Sequence, residues 1–219
     1  MARQWVARPP PTGRRRAMPD HTEHPRRLII LRAAERLFAH YGPTKTTVAD
    51  IARQASVGVG TVYLEFSSKD AILAELATSR HQQILDLIQR AARETGDNHP
   101  ARLRAVLDAR VQAFLSQQEG GAHASDLLHC VCPAIARAWE AYQRAERDLL
   151  TQLIREGVEA GAFVSDDPAH TAATILDAYT CFAPPLLFHR DHDRLPHDLA
   201  QLHRLILQGL VFRDDVSSL

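Results

Sequence analysis

Three cysteines in 219 residues, Cys130, Cys132 and Cys181, are too few and too unevenly spread to build a disulfide framework. They read as reduced, mostly buried thiols. Long apolar runs are missing too. The longest candidate, Ala178 to Phe188, falls well short of the roughly 18 residues that a bilayer-spanning helix needs, so a membrane protein is not expected. The N-terminus carries charge but no apolar core with a small-residue cleavage site, so it does not read as a secretory signal, and the chain is expected in the cytoplasm. There is no phosphate-cradling glycine loop, HExxH helix, nucleophile elbow or metal-ligand set. No catalytic residue, metal site or cofactor is therefore expected, which counts against a small helical enzyme.

Net charge is also lacking, with 26 Lys+Arg against 26 Asp+Glu. That balance hides a polarity. Residues 1–90 hold 14 basic and 8 acidic side chains, whereas residues 91–219 hold 12 and 18. A basic front and an acidic back suggest a polyanion-binding segment joined to a body that does not bind nucleic acid. The 45% of hydrophobic residues is ample for a buried core.

Residues 1–23 carry Arg3, Arg8 and the run Arg14 to Arg16 around Pro9 to Pro11, without apolar periodicity. They are expected to form a disordered basic arm, either a solvated leader or a strand of charge laid along DNA phosphates. From Pro25 the apolar residues Leu28, Leu31, Ala34, Leu37, Phe38 and Tyr41 recur at helical spacing, and Gly42-Pro43 stops the helix. Thr47 and Asp50 read as a capping box for a second, short helix through Ala55. Gly58 caps a third, Val59 to about Phe66. Ser67 with Asp70 marks the start of a long helix to about Glu94. The rest reads as helices only: Ala101–Gln118, a short piece at Ser125–Cys130, Pro133–Ala160, Asp167–His189 and Pro196–Phe212. With no two-residue alternation anywhere, the class is all-α, with about nine helices.

Residues 46–66 fit helix-turn-helix geometry, a short helix, a tight turn and a second helix slim enough for the major groove. Val59, Gly60 and Thr61 put small side chains on its leading turn, while Thr61 and Tyr63 offer hydroxyls. Val62 and Phe66 read as core. Ser68 and Lys69 at the next helix start offer N–H groups and a cation for phosphate. The bland alternative is a three-helix packing module in a protein that binds other proteins, which would show no salt-dependent DNA binding.

The run Ile30-Leu31-x-Ala33-Ala34-x-x-Leu37-Phe38, then Gly42, Thr46-Thr47-Val48-x-x-Ile51-Ala52, Val57, Gly60-Thr61-Val62-Tyr63, Phe66, Ser68-Lys69 and Leu73 resembles the DNA-binding domain of the TetR family of transcriptional regulators. The resemblance implies a three-helix DNA-binding domain at 24–84, a fourth helix linking it to a ligand-binding and dimerisation bundle at 85–219, double-stranded operator DNA and a small-molecule effector as partners, and a homodimer. Carried over by position, it makes Thr46, Thr47, Tyr63 and Lys69 phosphate contacts, and sets Val59, Gly60, Thr61 and Leu64 against the bases. Leu64 and Glu65 replace the aromatic or basic pair frequent before Phe66 in the family, and two positions of the turn depart from its pattern as well. Ser56 stands where a turn glycine is usual, and Gly58 where a hydroxyl cap is usual.

The body is less explicit. Helices from Asp167 and Pro196 have apolar stripes suited to a four-helix dimer seam. An effector pocket is expected among Phe114, His129, Trp139, Tyr142, Tyr179 and Phe182, with Pro184-Pro185 breaking or kinking the adjacent helix. Cys130 and Cys132, two apart on a helix, face different ways and are poorly placed to share a metal. The segment His189 to Asp193 is a second weak metal candidate.

Overall fold

In the computed structural model, residues 25–117, 123 and 133–210 are described. The helix starts there are fixed by side chains that take up otherwise unpaired amides. Helix α1 (Pro25–Tyr41) ends at Gly42, whose φ of 79° closes the last turn through its N–H to the Phe38 carbonyl at 2.9 Å. Helix α2 (Val48–Gln54) begins with a full capping box, Thr47 accepting from the Asp50 amide and Asp50 accepting from the Thr47 amide. Helix α3 (Val59–Glu65) starts at Gly58, which supplies no side-chain cap.

The cap of α4 (Lys69–Glu94) is Ser68, one residue after the expected Ser67, because it is the Ser68 hydroxyl that accepts from the Ala71 amide. Asn98 caps α5 (His99–Ser116), so that helix starts two residues before the expected Ala101. Helix α6 (Pro133–Glu159) follows, and then α7 (Pro168–Ala178), capped by Asp167 with proline at its first position. Helix α8 (Leu195–Leu210) ends the described chain. The described residues thus form eight α-helices and no strand. The expected piece at Ser125–Cys130 lies outside them.

Helix α7 stops at Ala178, well before His189. Its end is sealed by the Tyr179 amide, shared between the Ile175 and Leu176 carbonyls, and the chain tightens into 3-10 turns at Thr180–Phe182 and Leu186–His189. Pro184 and Pro185, joined by a cis bond, have no N–H to return to the carbonyls four residues back, so the α-ladder cannot continue through them.

Two apolar cores result. One joins α1, α2, α3 and the first part of α4 around Ile30, Phe38, Ile51, Val62, Phe66 and Leu73. The other fills the body around Ile88, Leu107, Phe114, Tyr142, Leu150 and Tyr179. Helix α4 runs through both, and α6 joins them as well, since Ile135 and Ala138 pack in the front core and Tyr142 in the body. Arg27 ties the front together. Its guanidinium pairs with Glu75 of α4, donates to the Glu65 carbonyl at the end of α3 and lies over the Phe66 ring at 4.1 Å. Arg80 of α4, mostly buried, reaches Glu35 of α1 at 3.2 Å. Among the described residues no helix is long and apolar enough to cross a membrane.

Candidate nucleic-acid interface and body cleft

The turn before α3 is made by Ser56, not by a glycine. Its φ is +55°, in the left-handed region, and the pair Ser56 N–H to Arg53 O (3.2 Å) and Val57 N–H to Ala52 O (3.0 Å) closes α2 in the pattern that glycine usually serves. The departure from the family pattern therefore leaves the turn type intact and puts a Cβ where it is strained.

Helix α3 divides cleanly by burial. Val62 and Phe66 are core, as expected, while Val59, Tyr63 and Leu64 are 43%, 55% and 86% exposed and Thr61 is half-buried beside them. Gly60 is exposed, and a Cβ added there would meet nothing within 4 Å. Its lack of a side chain does nothing for packing, although glycine within a helix costs about 0.5 to 1 kcal/mol. A surface that keeps such residues small and apolar allows another molecule's backbone or groove to come close.

The residues expected on phosphate fall into two groups. Thr47 and Tyr63 are exposed. The Thr47 hydroxyl donates to the Asp50 carboxylate at 2.6 Å, and these Thr47 bonds, with Arg53 adding to them, hold the Asp50 pKa below the ordinary carboxylate value. Thr46, by contrast, is turned inward, 2% exposed, with its hydroxyl donating to the Gly42 carbonyl at 2.9 Å. It is a positioning residue for the loop, and its side chain does not face outward as a phosphate ligand must.

Lys69 is half-buried, with its ammonium donating to the carbonyls of Pro43 (2.8 Å) and Thr46 (3.0 Å). It pins the start of α4 to the α1–α2 loop, with two of three N–H donors in use. Sequence reasoning passed over Lys45 and Arg53, two exposed cations that line a cleft of about 340 Å³ between α1 and α2 with Tyr41 and Gln54. The position of Lys45 next to Thr46-Thr47 was the available signal.

In the body, Trp139, one of the expected pocket residues, lines a cleft of about 250 Å³ between α5, α6, α7 and the Pro184-Pro185 turn. Phe114, Tyr142, Tyr179 and Phe182 belong to the core, each at most 3% exposed, where Phe114, Trp139 and Tyr142 pack edge and face on one another and Tyr179 against Phe182. His129 lies outside the described residues, as do Cys130, Cys132 and the basic arm.

The residues that the sequence did not single out are charged. Arg110 and Glu146, 4% and 2% exposed, pair at 2.6 Å, and the Tyr142 hydroxyl donates to the same carboxylate oxygen at 2.5 Å. Burial works against the Arg110 charge, but the Glu146 carboxylate overrides it and raises the guanidinium pKa. Burial and then Glu146 push the Tyr142 phenol well above its ordinary value.

His81 of α4 stacks on Tyr142 and packs at a tilt against Trp139, with ring centroids 5.2 and 5.4 Å away. Beyond a weak pull from the Ala77 backbone, its nitrogens have no hydrogen-bond partner among the described residues, and burial, which outweighs that pull, lowers its pKa to about 4. Cys181 is a half-buried free thiol, and no group of three or more His, Cys, Asp or Glu side chains gathers among the described residues. On the last helix Leu205 is 69% exposed beside half-buried Leu202 and Ile206.

Comparison with known proteins agrees with this arrangement. Residues 30–76 match the model of bacterial regulatory proteins of the tetR family, and residues 99–202 match the tetracyclin repressor-like C-terminal domain. The HTH-type transcriptional repressor Rv3405c of Mycobacterium tuberculosis is 35% identical over 133 residues, which is 56% of this chain and 67% of that protein. The HTH-type transcriptional regulator YhgD of Bacillus subtilis is 27% identical over 166 residues, covering 70% of this chain and 80% of its own length. A TetR/AcrR-family transcriptional regulator from Thermobifida fusca superimposes with a TM-score of 0.66 at 25% identity, over 85% of this chain and 98% of that one. The chain belongs to the TetR family of transcriptional regulators, with a DNA-binding helix-turn-helix at its front and a C-terminal domain of the same family behind it.

Proposed function

We propose that this regulator is a ligand-responsive repressor, a homodimer that occupies a palindromic operator through α3 of each copy and leaves it when a small molecule binds the body. The observation that carries the reading is the outer face of α3. Val59, Gly60, Tyr63 and Leu64 are exposed there, with a lysine held at the head of the next helix, α4. Val59, Gly60, Thr61 and Leu64 are assigned to base edges, and Thr47, Tyr63 and Lys69 to phosphates, with Lys45 and Arg53 adding charge alongside.

The functional division is set within α4, with residues 24–84 for DNA and 85–219 for ligand and dimer. Two copies are needed because a two-fold operator presents half-sites about one DNA turn apart. The apolar residues of α8, Leu202, Leu205 and Ile206, supply the seam with α7. Repression follows from occupancy alone, since a dimer on a promoter blocks polymerase without a further contact, and Rv3405c is itself named a repressor. A ligand acts by favouring one spacing of the two reading heads over the other.

The test is an anisotropy titration against labelled duplex from immediately upstream of the protein's own gene, at two salt concentrations, with random duplex as competitor. Binding that resists the competitor and weakens with salt is the expected result. Affinity equal to that for random duplex, unmoved by salt, would refute the reading.

A further inference from the structure

A buried ion pair is rarely retained for stability, because two apolar residues of the same volume do as well or better. Arg110 and Glu146 nevertheless face each other at 2.6 Å in the body, and both line the cleft beneath Trp139. Their geometry is one-sided. Arg110 Nε and the Tyr142 hydroxyl converge on Oε1 of Glu146, whereas Oε2 accepts nothing among the described residues. Of the five guanidinium N–H groups, Nε–H is committed to Glu146 and one NH1 proton makes a long 3.4 Å contact with the Phe182 carbonyl. Among the described residues the pair thus presents an unfilled acceptor next to unfilled donors.

The rest of the cleft limits what can fill them. Arg147 and Asp177, exposed at its edge, add one charge of each sign to those of Arg110 and Glu146, so the lining carries no net charge to favour a charged guest. Gln143 and Thr180 add neutral polar groups to the lining, and Trp139, Leu176 and Pro184-Pro185 supply its apolar part. A volume of about 250 Å³ suits a small guest. We propose that this cleft binds an uncharged planar carboxamide or lactam, donating its N–H to Glu146, accepting from Arg110 through its carbonyl, and laying an apolar or aromatic body on Trp139. The assignment rests on the reading of the body as the effector module and adds the chemical class. It also supplies a route outward, because Trp139 and Tyr142 both pack against His81 of α4.

The test uses Trp139 fluorescence in full-length protein carrying Trp5→Phe, which removes the other tryptophan. Four probes share a ring and differ in charge and polarity: benzamide, benzoate, benzylamine and ethylbenzene. Saturable quenching by benzamide, about tenfold tighter than by the other three, is expected. Glu146→Gln leaves Arg110 unmatched, so it should invert the order and make benzoate the tighter ligand. A parent protein that binds benzoate, benzylamine or ethylbenzene as well as benzamide, or that binds none saturably, overturns the proposal. So does a folded Glu146→Gln protein with the order unchanged, and the parent's ranking decides the matter if that variant does not fold. Anisotropy of the protein–DNA complex with added benzamide is read separately. Quenching without any change in DNA affinity supports the amide assignment and sinks the effector reading instead.

Discussion

His81→Phe should make the protein more stable and flatten its response to acid. The imidazole is 2% exposed, packed against aromatic rings, and beyond a weak pull from the Ala77 backbone its nitrogens have no partner among the described residues. An unsatisfied buried polar group costs about 1 to 3 kcal/mol. Phenylalanine keeps the stacking on Trp139 and Tyr142 and removes that cost, so a gain of about 1 kcal/mol at pH 7.5 is expected once some strain from the larger ring is allowed.

The acid response follows from linkage. Burial lowers the folded pKa to about 4 against an ordinary value of 6.5, so the unfolded chain binds the extra proton between those values. Stability from this group is fully present above pH 6.5 and is lost as the pH falls toward 4. A single histidine so shifted accounts for about 2 kcal/mol between pH 7.5 and pH 5. Urea unfolding of both proteins at those two pH values and one fixed protein concentration reads the effect. His203 is also lowered, by burial set against Asp108, but it is common to both proteins and cancels in the difference. Parallel losses in the two proteins, or a less stable phenylalanine variant at pH 7.5, would refute the reasoning.

Gly60→Ala should separate folding from binding. It has room for the methyl and should stabilise by about 0.5 kcal/mol in thermal melts, yet weaken operator binding by about tenfold, because the added methyl meets the groove. Ser56→Gly should relieve the left-handed strain and raise stability by about 0.5 kcal/mol, as read by urea unfolding, with operator choice unchanged. Lys69→Ala should weaken binding to all duplexes and lower the salt slope by about 1, while Thr61→Ala should alter discrimination between operators, both checked by anisotropy at several salt concentrations. Gly157→Ala should cost about 1 to 3 kcal/mol in urea unfolding, since its Cβ would lie 2.2 Å from the Phe163 ring.

The front of the molecule was legible in the sequence because its rules are local. A capping box, a Gly-Pro stop and helical spacing each act within a few residues, and α1 to α4 follow them to within a residue. What escaped there was direction. Nothing in the order Thr46-Thr47 says that the first hydroxyl turns in and the second out, because that depends on where the Gly42 carbonyl lies after folding.

The body was legible as helices but not as a site. Arg110 and Glu146 are 36 residues apart and look like ordinary surface charges on amphipathic helices until α5 and α6 are packed. Aromatic residues were the natural pocket candidates by type. Their bulk is what draws Phe114, Tyr142, Tyr179 and Phe182 into the core and leaves the cleft to Trp139 and to polar groups. The early end of α7 is likewise set by the competing tight turns after Tyr179, several residues ahead of the prolines that announce the break.

The central claim is that α3 of a dimer reads a two-fold operator, and selection of bound duplexes from a random-sequence library by the purified protein tests it most directly. The account predicts enrichment of a palindrome with half-sites about one helical turn apart, lost when Gly60 is replaced by a bulky residue. Recovery of no shared sequence, or of a single asymmetric half-site bound by a monomer, would contradict it.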